Sequence, residues 1–183
     1  NLSVENFINT DDTKISWSRA FRYDISKHRT YNFDSSSLTV TYYRPYCKLN
    51  NYFNRQLTND VALLPSLFIK NYNNLTICVP GIGTNNNYSP LITDILPDLG
   101  LNSACQCFPL YWYEKNEATQ LSLFDTDGND GKYIRHDGIT DWILKEAQKR
   151  YHTKSITKEM IFYYVYGILH SEDYRTRFAA DLK

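Results

Sequence analysis

The sequence has no excess charge of either sign, no long hydrophobic run, and only 4 cysteines, 7 glycines and 1 methionine in 183 residues. Each absence excludes something. With 20 basic side chains against 20 acidic ones, the chain is not a generic polyanion binder, which carries a strong basic excess. Without a run of about 18 apolar residues there is no membrane-spanning helix. The chain contains no Gly-x-Ser-x-Gly elbow, no glycine-rich cofactor loop and no Asn-Pro-Pro-Tyr or Asp-Pro-Pro-Tyr, so no hydrolase or methyltransferase centre is expected. It also lacks Cys-x-x-Cys and His-x-x-x-His pairs, and Cys105-Gln106-Cys107 is too closely spaced for the usual zinc hook. The four cysteines, Cys47, Cys78, Cys105 and Cys107, therefore read as small buried hydrophobes in a reducing compartment. If Cys105 and Cys107 lie in a strand, they share one face of it. Residues 1–12 lack the basic-then-apolar order of a signal peptide. With Asn1 first and Met160 the only methionine, a fragment or processed chain is expected.

What is present is aromatic. The 16 Tyr, 9 Phe and 3 Trp, within 42% hydrophobic residues, supply enough apolar surface to offset the entropy of ordering the chain. Charge is unevenly spread: residues 1–12 carry −3, residues 13–55 carry +6, residues 56–142 carry −6 and residues 143–183 carry +3. A basic N-terminal section followed by an acidic middle fits a molecule with one cationic face.

Trp17, Phe21 and Ile25 recur at helical spacing, with Arg19, Arg22, Lys27, His28 and Arg29 between or beyond them. Residues 38–43 are β-branched and aromatic and read as a strand, stopped by Arg44-Pro45. A return strand is expected over 49–53, a short irregular buried segment over 62–67, and the clearest buried strand over 75–79. An apolar stretch covers 91–96, and further strand is expected over 104–113. Residues 125–131 form a polar, turn-dense linker. Beyond it the period becomes helical. Ile139, Trp142, Ile143 and Ala147 mark one helix face, with Asp137 or Thr140 as cap. A second helix begins near Thr157 with Ile161, Tyr164, Val165, Ile168 and Leu169 inside, and a third starts at Ser171. The expected fold class is α+β in one compact domain: a β-rich section over 1–124, a polar linker over 125–136, and a helical tail over 137–183.

Several motifs reduce to plainer readings. Gly81-x-Gly83 follows a strand but lacks the third glycine of a dinucleotide fingerprint, so a turn is favoured. Asp125, Asp127 and Asn129 match three positions of a calcium loop, but Asp130 and His136 replace its glycine and bidentate glutamate. Asn85, Asn86 and Asn87 are ordinary loop residues, yet asparagine also pairs bidentately with an adenine edge. The Tyr42-Tyr43-Arg44-Pro45-Tyr46 run, with Lys48, Tyr52 and Arg55 after it, mixes cations and aromatics. That mixture suits nucleic acid as well as a strand end with core tyrosines.

Three stretches together resemble a known family. They are Tyr43-Arg44-Pro45-Tyr46 with Tyr52-Phe53, Thr93-Asp94-x-x-x-Asp98-Leu99 before Phe108-Pro109-Leu110-Tyr111, and Ile156-Thr157-Lys158-Glu159 leading into Phe162-Tyr163-Tyr164-Val165-Tyr166-Gly167-Ile168-Leu169-His170-Ser171. The order resembles the C-terminal specificity region of type ISP restriction–modification enzymes, over nearly the whole chain. The resemblance implies a target recognition domain that binds a short asymmetric duplex DNA site and positions it for an upstream adenine N6-methyltransferase. It implies no catalytic residue, metal or cofactor in this segment. S-adenosylmethionine, ATP and magnesium would belong to the methyltransferase, helicase-like and nuclease parts of a cytoplasmic parent chain. Arg22, Lys27, Arg29 and Lys48 are the candidate phosphate contacts, Arg44 a phosphate or guanine contact, and Asn85, Asn86 and Asn87 candidate base readers. Two other readings stay open: a scaffold that docks methyltransferase to motor without reading DNA, and a small nuclease using Asp98, Asp130 and Lys132.

Overall fold

The computed structural model describes residues 11, 17–58, 61–83, 87–116 and 132–182. These form two compact units: Asn1–Val40 with Asn50–Ala62, and Thr41–Leu49 with Leu63–Lys183. Helix α1 (Arg19–Ser26) lies in the first. The Ser18 hydroxyl caps it, accepting from Phe21 N at 3.1 Å and donating to Leu57 O at 2.8 Å. The apolar spacing is realised as a stack of Trp17 on Phe21, centroids 5.0 Å apart. Asp24 is the buried member of α1, and it is neutralised by Arg29 at 2.9 Å and accepts from the Tyr31 hydroxyl. Asp34 caps a 3-10 turn at Ser35–Ser37. Hydrogen bonds from Ser36 hold its carboxyl below the usual range.

The chain crosses between the units inside β1 (Leu38–Arg44) and β2 (Cys47–Tyr52). In the second unit, β5 (Leu96–Pro97) runs parallel to β1 with Tyr42 opposite Pro97, and the Thr41 hydroxyl donates to Leu96 O at 2.9 Å. The central sheet places β3 (Thr76–Val79) between β4 (Leu91–Thr93) and β6 (Gln106–Pro109), both antiparallel. A separate antiparallel pair joins β7 (Tyr111–Lys115) to β8 (Tyr133–Asp137). Of the expected apolar segment at 62–67, one helical turn forms, α2 (Leu64–Leu67). Helices α3 (Asp141–Arg150), α4 (Lys158–His170) and α5 (Glu172–Arg177) follow, capped by Thr140, Thr157 and Ser171. Each capping hydroxyl satisfies one amide that the first helical turn leaves free. The fold is α+β, with the sheets in the N-terminal part after α1 and three helices near the C-terminus. Among the described residues no helix is long and apolar enough to cross a membrane.

The core forms where β3 and α4 meet. Ile77, Leu110 and Phe162 are buried, with Leu75, Val79, Ile92, Tyr111, Ile139, Tyr166 and Leu169 against them. The inner face of α4 is therefore Phe162, Tyr166 and Leu169, not the expected Tyr164 and Val165, which are exposed. An aromatic helix that is apolar nearly all round gives periodicity too little contrast to select a face. The linker and calcium-loop residues 117–131 lie outside the described residues. Strand β8, which ends the stretch read as linker, lacks apolar alternation. It is held by cross-strand pairs: Trp112 stacks on His136 at 4.0 Å, and the Arg135 guanidinium lies 4.6 Å from the Tyr111 ring.

Asn74 ties three segments together. Its Nδ2 donates to Leu67 O at 2.9 Å and Tyr111 O at 2.7 Å. Its Oδ1 accepts from Leu75 N at 2.8 Å and Tyr111 N at 3.0 Å. The side chain, 5% exposed, thus meets the demand of four backbone groups that would otherwise be orphaned.

Candidate nucleic-acid interface

The β1–β2 connection carries the basic and aromatic run. Pro45 fixes one turn position and Tyr46 takes φ 66 at the next, a conformation suited to glycine. Tyr46 is nonetheless 97% exposed, and its backbone N–H donates to the Tyr42 hydroxyl at 3.2 Å. A non-glycine residue in this conformation persists only where the surrounding structure holds it. Arg44, two residues earlier at the end of β1, folds back: its guanidinium lies 4.2 Å from the Tyr43 ring, donates to Tyr43 O at 2.9 Å and sits 3.7 Å from Asp98 Oδ1. A Cβ on Gly100 would overlap Arg44 Nη1, so the missing side chain there makes the guanidinium's seat.

Arg44 opens onto a cleft of about 670 Å³ whose wall includes Asn87, Ser89, Leu99 and Asn102. The loop bearing Asn87 is clamped twice. Ser89 and the buried Asn102 exchange hydrogen bonds, with Ser89 Oγ donating to Asn102 Oδ1 at 2.9 Å, and Arg175 of α5 donates to Tyr88 O at 3.3 Å. The helical tail thereby positions the loop of the β-rich section.

The structure brings Arg44 and Asn87 into one cleft although 43 residues separate them. Lys48 is exposed on β2 of the same unit. Arg22, Lys27 and Arg29 are exposed in the other unit. Lys27 Nζ stands 5.6 Å from the Tyr23 ring. Arg29 is engaged by Asp24, which raises its already high pKa. Asn85 and Asn86 lie outside the described residues. Of the nuclease set, Asp130 lies outside as well, while Asp98 accepts from Gly100 N at 2.7 Å and faces Arg44. In the sequence Tyr46 belongs to the mixed basic and aromatic run and to the Tyr43-Arg44-Pro45-Tyr46 stretch of the family resemblance, but not to the candidate contacts. A non-glycine residue after proline in a two-residue turn was the signal for its strain.

One cluster of thiols lies elsewhere. Cys78, Cys105 and Cys107 are all free and close together. Hydrogen bonding from the Cys105 and Cys78 thiols holds the Cys107 thiol below its ordinary pKa.

The profile of the type ISP C-terminal specificity domain matches residues 1–183. The chain belongs to this family. No curated protein matches this specificity domain. Solved structures do. A cryoEM structure of a DrdV–DNA complex shares 31% identity over 98% of this chain, TM-score 0.75. A nuclease-deletion mutant of the type ISP enzyme LlaGI, in complex with a DNA substrate mimic, shares 30% over 99%, TM-score 0.65. The ATP-dependent type ISP enzyme LlaBIII bound to DNA is similar in fold, with 24% identity over 92% and TM-score 0.71. The specificity domain spans 16%, 12% and 10% of those three chains respectively.

Proposed function

We propose that this domain reads a short asymmetric site in duplex DNA and holds it for an adenine N6-methyltransferase elsewhere on the same polypeptide. The observation that carries this reading is the family match over the whole chain, and DNA in the two relatives of 30% identity or more supports it. Arg44, Tyr46, Lys48 and Asn87 are the contact residues of the second unit. Arg44 grips a phosphate or guanine, and Asn87 offers a donor and an acceptor to a base edge. Arg22, Lys27 and Arg29 supply phosphate contacts, and Asn85 and Asn86, which precede Asn87 in the sequence, are further base readers. The parent enzyme carries the helicase-like motor and nuclease, uses S-adenosylmethionine, ATP and magnesium, and works in the cytoplasm.

The test is binding of the full-length enzyme to its own methylated site and to a scrambled duplex, at two salt concentrations. Wild type prefers its site. Losing a bidentate base contact in Arg44→Ala reduces that preference by about 1–3 kcal/mol. If Arg44 grips a phosphate instead, both duplexes weaken together and the salt slope falls by about one. No change in either quantity removes Arg44 from the interface.

A further inference from the structure

Cys78, Cys105 and Cys107 have no part in the reading above, and strand pairing is what assembles them. Cys78 in β3 is the Cα partner of Cys107 in β6. Their Sγ atoms are 4.0 Å apart. Cys105 precedes Cys107 by two residues, and all three Sγ atoms lie within 4.8 Å of one another. We propose that these three thiolates form a binding site for one thiophilic d10 metal ion of zinc's class, which fastens the 99–105 loop to the central sheet.

Three sulfurs bound to one zinc at about 2.3 Å stand about 3.8 Å apart. The observed spacing approaches that value, and it is nearly twice the roughly 2.05 Å of a disulfide. No imidazole or carboxylate joins the group among the described residues. An all-sulfur donor set selects zinc or a comparably soft ion over magnesium and calcium. Cys78 is fully buried, while Cys105 and Cys107 are half-buried. An ion therefore enters from the side of the latter two and keeps its fourth position for solvent. Each ligating thiol gives its proton to solvent as the metal binds.

The third ligand is delivered by a built loop. Ser103 and Ala104 take φ 54 and 52, two successive non-glycine residues in the left-handed region, which persists only where the surroundings hold it. Gly81 N–H donates to Ser103 O at 2.9 Å, and Cys105 N–H donates to Leu99 O at 3.0 Å. A Cβ on Gly81 would meet the Ala104 carbonyl oxygen at 2.5 Å. The glycine that resembles a dinucleotide motif is thus explained by the close approach of the cysteine-bearing loop. Leu99 and the residues up to Ala104 also wall the cleft beside Arg44, so the metal would stiffen that wall without touching DNA.

The full-length protein, reduced and stripped with a chelator, is reloaded with zinc and gel-filtered, and bound zinc is counted. Cobalt(II) serves in parallel as an absorbing probe of thiolate ligation. Wild type takes up one zinc more than Cys105→Ser or Cys107→Ser, and its cobalt form shows the thiolate charge-transfer band that both variants lose. Cys47→Ser behaves as wild type. Gly81→Ala keeps all three thiols but binds at least about tenfold more weakly, as for lost outer-shell support. Circular dichroism confirms that the variants are folded. Cys105→Ser replaces a half-buried thiol and keeps the test decisive if Cys107→Ser misfolds. Equal zinc in wild type and Cys105→Ser overturns the proposal. So does a reduced wild type that takes no zinc, whether or not a Cys78–Cys107 disulfide appears on oxidation.

Discussion

Arg44 Nη1 lies 3.7 Å from Asp98 Oδ1 because the parallel pairing of Tyr42 with Pro97 brings the ends of β1 and β5 side by side. Two other contacts, the Tyr43 ring and the Tyr43 carbonyl oxygen, hold the guanidinium over Gly100 before any ligand arrives. An arginine seated in this way loses less side-chain entropy when it binds. On the proposed reading, its carboxylate partner competes with an incoming phosphate.

Asp98→Asn tests that competition. The amide keeps an oxygen for the Gly100 N–H but removes the charge beside Arg44. Pairs this exposed contribute about 0.2–1 kcal/mol, so DNA binding tightens by a factor of about 1.4 to 5. The gain shrinks with added salt. Titrations at two ionic strengths check both features, and unchanged affinity would mean that Arg44 does not meet DNA. Gly100→Ala acts in the opposite sense. It displaces a flexible guanidinium rather than backbone, so it weakens DNA binding while leaving stability nearly unaltered.

Tyr46→Gly separates folding from function. Its left-handed φ of 66 costs a non-glycine residue about 1–2 kcal/mol, while glycine adds unfolded-state entropy that offsets part of the gain. Stability therefore holds or rises slightly in a urea melt, and DNA affinity falls because the exposed ring is gone. Affinity at the wild-type level would assign the ring no role.

Asn74→Leu orphans backbone groups of Leu67, Leu75 and Tyr111 in one substitution. A single unsatisfied buried group costs about 1–3 kcal/mol, so the variant loses about 3 kcal/mol or more, read as an earlier denaturation midpoint with unchanged slope. Asn74 begins the sequence Asn-Leu-Thr, but every polar atom of its amide is already used. Its role is structural.

The junction of α3 and α4 carries charged pairs whose titration predicts a pH-dependent stability. Lys158 Nζ lies 2.7 Å from Asp137 and 2.6 Å from Asp141. The Asp137 hydrogen bond, then that of Asp141, raises the Lys158 pKa above 10.5, and Lys158 lowers the Asp141 carboxyl below 3.8. A depressed carboxyl stabilises the fold above its unfolded pKa, and the contribution disappears as pH falls through the folded one. A raised ammonium stabilises below 10.5 and loses this as pH rises through its folded value. Melting curves of Lys158→Met lose both limbs relative to wild type. Identical pH profiles would show that the pair contributes nothing.

Local signals in the sequence were strong wherever capping or burial alone decides structure. Thr140, Thr157 and Ser171 start helices as expected, and β3 is the buried strand that its apolar run predicts. What periodicity missed depends on distant partners. Phe162 rather than Tyr164 turns inward because β3 and Leu110 lie on that side. Accordingly, Phe162→Ala costs about 3–5 kcal/mol, and Tyr164→Ala stays within about 0.5 kcal/mol. The cysteine group was illegible for the same reason, since the register of β3 with β6 sets its spacing and chain distance does not. For the cleft beside Arg44, Arg44 and Asn87 are both candidates on side-chain chemistry. Their meeting depends on the Ser89–Asn102 and Arg175–Tyr88 clamps, which no local pattern announces.

The most direct measurement exchanges this domain, residues 1–183, into a related type ISP enzyme with a different site and sequences the methylated positions in DNA from cells expressing the hybrid. If this domain is the reader, the hybrid methylates the site of the enzyme that donated it, and Arg44→Ala in the hybrid blurs that site. Methylation that remains at the recipient's own site would contradict the account and leave the domain a scaffold.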